Sequence, residues 1–98
     1  MVEIDLNFQD IKNKKSFFNL MSKSFDLPNY FKNSFDSLDE CMRDLSWLSG
    51  DYLEIKIKNL DPIKITNQEL YNDIIESIEF YNQYWINSND KKVIFSFE

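Results

Sequence analysis

The chain has no histidine and a single cysteine, Cys41. Without an imidazole the usual near-neutral acid, base and metal ligand is missing, which excludes most hydrolytic triads. One thiol permits neither an intramolecular disulfide nor a cysteine cluster for zinc, and it fits a reducing cytoplasm. Gly50 is the only glycine, so the segment Asn7 to Lys14 after the first apolar alternation has none. Backbone there has no glycine to let it approach a phosphate, and the Rossmann and P-loop readings fail. Pro28 and Pro62, the two prolines, mark turns and not a domain boundary. No stretch approaches the roughly 20 apolar residues of a membrane span. Met1 to Asp5 has neither a basic start nor an apolar run, so no signal peptide is expected. Alanine is absent while Asn, Lys, Ile and Phe are plentiful, a bias that an AT-rich coding sequence produces and that says nothing about function.

What is present suffices for one folded domain over residues 1–98. Hydrophobic residues make up 43% and aromatics 16% of the 98 positions, enough for a core and against intrinsic disorder. Seventeen acids against eleven bases leave a net charge of -6, which argues against direct binding of RNA or DNA through phosphates. No cofactor is expected.

Val2, Ile4, Leu6 and Phe8 alternate with polar residues, the period of a strand with one buried face. From Asn13, a cap, apolar residues recur at helical spacing to Leu27, where Pro28 stops the run. A second helix capped by Asn33 or Ser34 runs to about Trp47, followed by a turn through Gly50. Tyr52 to Ile57 alternates again. Asn59 to Ile65 reads as a connector, and Thr66 with Glu69 as the capping box of a long helix through Leu70, Ile74, Ile78, Tyr81 and Trp85. Val93 to Phe97 closes the chain as a strand. The order β-α-α-β-α-β, with helix between each pair of strands, predicts an α/β fold: a small three-stranded parallel sheet with packed helices.

The second helix carries the most information. On a helical wheel Phe35, Leu38, Cys41, Met42, Leu45 and Leu48 share one arc, while Asp36, Asp39, Glu40, Arg43 and Asp44 share the opposite one. Residues 26–51 carry a net charge of -4, against +1 for residues 1–25 and -3 for residues 52–98. Most solvated helices have a polar outer face, and Arg43 is spaced to pair with Asp39 or Glu40. Two details oppose that plain reading. Asp36 and Glu40 repel one turn apart, and Tyr30 and Phe31 flank the acids as aromatic anchors flank charges in binding hot spots. Cys41 lies on the apolar arc and reads as a small core residue. A Mg²⁺ site would lack a phosphate-binding loop, and glycosidase chemistry would lack a cleft. Clustered acids on a rigid scaffold suit a decoy for a polyanion, entering a basic site on another protein.

Leu27-Pro28, Tyr30-Phe31 and the run Phe35 to Cys41 leading to Asp44-Leu45 resemble the barstar family of ribonuclease inhibitors. The resemblance covers about a fifth of the chain and implies the small parallel sheet already read from the pattern. It further implies a non-enzymatic, cytoplasmic bacterial immunity protein or antitoxin forming a one-to-one complex with a basic ribonuclease or nuclease toxin. In the family this helix and the loop before it enter the enzyme's active site. Tyr30 matches the contact tyrosine, Asp36 the first key aspartate, and Glu40 stands where a second aspartate is usual. Asp39, Arg43 and Asp44 complete the expected partner-binding set. Lys32 replaces the usual Gly, Ser34 the usual Asn, and Asp39 stands where the family's namesake has Trp. These departures motivate an alternative, an interaction module with a non-nuclease partner. An acidic contact on the long helix is also implied, with Glu76 and Glu79 both open.

Overall fold

The computed structural model describes residues 2–98. Its elements run β1 (Val2–Asn7), α1 (Lys14–Ser24), α2 (Phe35–Met42), β2 (Tyr52–Lys58), α3 (Asp61–Thr66), α4 (Gln68–Ile86) and β3 (Lys92–Phe97). The three strands form one parallel sheet in the order β1-β2-β3, as the alternation of strand and helix predicts.

Side chains explain why the strands alternate so plainly. Leu6, Leu53, Ile55, Ile57 and Val93 are buried under the helices. Their neighbours Glu3, Asp5, Glu54, Lys56 and Lys58 stand on the other, polar face, where Lys56 Nζ meets Glu3 at 2.6 Å. Parallel sheets are usually covered on both faces and read as unbroken apolar runs. Here one face stays open, and the period of two survives in the sequence.

Local chemistry sets most helix ends. Asn13 caps α1 by accepting from the Ser16 N–H at 2.8 Å, and the Ser16 hydroxyl oxygen accepts from the Asn13 N–H at 3.1 Å. The helix stops at Ser24, not at Leu27, because Asp26 turns left-handed at φ 50 and the Leu27 N–H closes back on Ser22 O at 3.0 Å. The expected connector holds a short helix, α3, with Pro62 in its first turn, where the missing N–H has no cost. Thr66 is then the last residue of α3, and Asn67 caps α4 in its place, accepting from the Leu70 N–H at 3.1 Å.

The largest departure concerns α2, which ends at Met42 and not near Trp47. Leu45 adopts φ 52 and drives a fully buried side chain into the core, while the Trp47 indole N–H donates to Phe25 O at 2.9 Å and pulls the chain back toward the end of α1. Leu45 and Leu48 therefore belong to the loop, as does Asp44.

Candidate functional site

An aromatic cluster fixes where the acidic helix begins. Phe35, its first residue, packs on Phe17 and Phe18 with ring centroids 5.7 and 5.1 Å away, and Phe31 meets Phe18 edge-on at 6.0 Å. With Phe31 turned inward, its neighbour Tyr30 is left half exposed beside the helix. Ser34 is the cap: its hydroxyl oxygen accepts from the Ser37 N–H at 3.1 Å, and the Ser37 hydroxyl oxygen accepts from the Lys32 N–H at 3.0 Å. Serine thus performs the capping that an asparagine there would. The left-handed residue of the loop is Asn33, φ 53, a type that tolerates this region. Lys32 does not occupy a position that demands glycine, so neither departure disturbs the loop.

Side chains far along the chain, the buried Tyr81 and Trp85 and the half-buried Lys91, fasten the rest of α2 and the loop after it. The Tyr81 hydroxyl donates to Asp39 Oδ1 at 2.6 Å, the Trp85 indole N–H donates to Met42 O at 2.8 Å, and the Lys91 ammonium donates to Leu45 O at 2.8 Å and to Leu48 O. An eight-residue helix is too short to hold itself in water. The Trp85 bond satisfies a carbonyl that the C-terminus of α2 would leave without a partner, and the Lys91 bonds do the same for the loop that follows.

Tyr30, Asp36, Asp39, Glu40 and Arg43 line one shallow depression. Asp44 lies in an adjoining depression that shares Tyr30, Glu40 and Arg43 and adds Tyr84 and Lys91. The six residues singled out from the sequence therefore occupy one continuous face. Their surroundings differ. Asp36, Glu40 and Asp44 are exposed, whereas Asp39 is half-buried and tied to Tyr81. Arg43 forms no ion pair with Asp39 or Glu40: its Nε donates to the Asp39 carbonyl at 3.2 Å, and its guanidinium lies 5.6 Å from the centroid of the Phe80 ring. Among the described residues the ion pairs are on the sheet, Glu3 with Lys56 and Lys58 with Glu98, and none engages the α2 carboxylates. No group of three or more acids or Cys among the described residues is placed to hold a metal ion.

Burial raises the Cys41 thiol above its ordinary value, in keeping with a core residue. The Tyr30 phenol is raised chiefly by lost solvent contact, then by Cys41 and Asp44.

Sequence patterns missed the contribution of α4. A cavity of about 390 Å³ between α2 and α4 is lined by Phe35, Asp39, Asp73, Glu76, Ser77 and Phe80. Of the two glutamates left open, Glu76 borders this cavity with Asp39, and Glu79 is exposed without lining it. Besides the acidic contact that the family resemblance implies, the pattern held one signal, Phe80 with Tyr84, a pair of large rings four residues apart and off the buried arc of Ile74, Ile78, Tyr81 and Trp85.

The Tyr81 phenol is pushed well above the ordinary 10.0, first by burial and then by the Asp39 carboxylate it bonds. A folded value above the unfolded one means that the stabilisation is complete below about pH 10 and is lost as pH rises beyond it. Melts between pH 8 and 11.5 should show the unchanged protein losing up to about 1.4 kcal/mol per pH unit above 10 from this group. Tyr81→Phe, lower by about 1.5–3 kcal/mol at neutral pH, should lack that slope; parallel losses in both proteins would contradict the assignment.

Fold and face together define a small α/β protein that displays Asp36, Glu40 and Asp44 on the exposed surface of one helix and the loop after it, with Asp39 half-buried beside them. The chain belongs to the barstar family: the family model for barstar, the barnase inhibitor, matches residues 1–98. The family takes its description from an inhibitor of the ribonuclease barnase. No curated protein matches the chain. Among the described residues no helix is long and apolar enough to cross a membrane.

Proposed function

We propose that this chain is the immunity protein, or antitoxin, of a basic ribonuclease or related nuclease toxin, binding it one-to-one in the cytoplasm. Asp36, Asp39 and Glu40 occupy the positions of substrate phosphates in the enzyme's active site, Tyr30 packs beside them, and Arg43 and Asp44 tune the rim. Inhibition is by occlusion and charge mimicry, with no bond made or broken.

The observation that carries this reading is a set of α2 carboxylates without ion-pair partners beside a half-exposed tyrosine, on a helix clamped at both ends. Free surface acids on a mobile segment would lose entropy on binding. Acids carried on a backbone already ordered in the free protein avoid part of that cost, and their summed field accelerates encounter with a basic partner.

The test is a titration of RNA cleavage by barnase, and by any nuclease encoded beside this chain's gene. Cleavage should stop at one equivalent of inhibitor, with an association rate that falls at least tenfold between about 0.01 and 0.3 M salt as the Debye length shortens. An equimolar or tenfold excess that leaves every such nuclease fully active would refute the proposal.

A further inference from the structure

We infer that the α4 border of this face, the rings of Phe80 and Tyr84, forms a second, aromatic half of the interface that receives guanidinium groups of the basic partner and so favours arginine over lysine. This rests on the proposed inhibitory face and specifies the chemistry it selects.

Helix α4 directs Ile74, Ile78, Tyr81 and Trp85 into the core. Phe80 and Tyr84, one turn apart, remain 46% and 39% exposed. A lone exposed ring needs no explanation. Two rings on one flank of a helix, both bordering the acidic helix, form a patch of the kind that marks an interaction site. Neither ring is loose: Tyr84 meets buried Trp85 edge-on at 5.1 Å, and Phe80 leans on buried Tyr81 at 6.0 Å.

Each ring is one wall of a recess whose other walls carry carboxylates. Phe80 faces the cavity with Asp39, Asp73 and Glu76, and Tyr84 borders the depression containing Glu40 and Asp44. A π-face beside carboxylates suits a group that is planar, weakly hydrated and able to fork onto carboxylate oxygens while stacking on a ring. Guanidinium meets all of these requirements, and ammonium, a strongly hydrated point charge, does not. The molecule already contains one such contact, since the Arg43 guanidinium lies over Phe80. The cations near these recesses compete little for the acids: Arg43 is turned onto that ring, and the Lys91 ammonium is engaged by Leu45 O and Leu48 O.

The experiment compares N-acetylated tetra-arginine and tetra-lysine amides as probes, equal in charge, by NMR titration of the intact chain. Tetra-arginine should bind about three- to tenfold more tightly and shift the ring resonances of Phe80 and Tyr84. Phe80→Leu with Tyr84→Leu should abolish the preference while both peptides still bind, and Phe80→Tyr should retain it. Equal binding of the two peptides to the unchanged protein, or a preference that survives the double leucine variant, would overturn the inference. Asp36→Asn with Glu40→Gln separates the two proposals. If the amides weaken both peptides but the rings confer no preference, the aromatic border fails and the acidic face stands. If the amides change neither peptide, the acidic face fails as well.

Discussion

Glu40→Ala should weaken inhibition of the cognate nuclease by about 30-fold or more while leaving the fold intact. Glu40 is exposed, has no ion-pair partner among the described residues, and borders both depressions next to Tyr30. In the proposed complex its charge would meet a cation of the enzyme, and truncating one member of a desolvated charge pair costs about 2–5 kcal/mol, the low end of which is about 30-fold. An exposed substitution that touches no buried group changes stability by about 0.5 kcal/mol or less. Asp36→Ala should act in the same direction, with a slight loss of stability as well, because Asp36 lies in the first turn of α2 where a negative charge is favoured. Inhibition constants from substrate cleavage, with thermal melts of the same samples, provide the measurement. Unchanged inhibition in both variants would place the binding face elsewhere.

The second large effect concerns the clamp. Trp85 is 4% exposed, and its indole N–H donates to the carbonyl of Met42, the last residue of α2, across 43 positions of sequence. Trp85→Leu removes most of a bicyclic ring from the core and leaves that carbonyl without its partner. Cavity and desolvation together cost about 3–5 kcal/mol. In a domain of this size each kcal/mol moves the melting temperature by about 4–8 °C, so a drop of at least about 12 °C is expected. Trp85→Phe, which refills part of the space, should fall between. A Trp85→Leu protein melting within about 3 °C of the original would show that α2 does not depend on this bond.

The two predictions draw on different kinds of information. Glu40 could be selected from spacing and resemblance alone, since its place opposite the apolar arc follows from the 3.6-residue period, and the structure leaves it exposed. Trp85 carried no such mark: as an apolar residue on the buried arc of α4 it looked like any other core side chain, and its hydrogen bond to α2 depends on two segments meeting. The same holds for Asp39. By periodicity it is a solvent-facing acid, yet Tyr81 holds it half-buried. Arg43, spaced to pair with an acid, is drawn instead to the ring of Phe80.

The sequence by itself determined the three alternating strands, the cap at Asn13, the parallel α/β order and the clustering of acids along α2, and it narrowed the cap of α2 to Asn33 or Ser34. Each of these depends on residues two to four apart, and so leaves a periodic trace. Only the tertiary structure decided that α2 stops at Met42, that Ser34 is its cap, that Asp39 is tethered, that Glu76 and not Glu79 borders the α2–α4 cavity, and that Phe80 and Tyr84 lie exposed beside the acidic helix. The physical reason lies in the distances along the chain: the contacts of Tyr81, Trp85 and Lys91 with α2 and its loop span 42, 43 and 46 residues, and such a contact comes into being only when the helices pack on one side of the sheet.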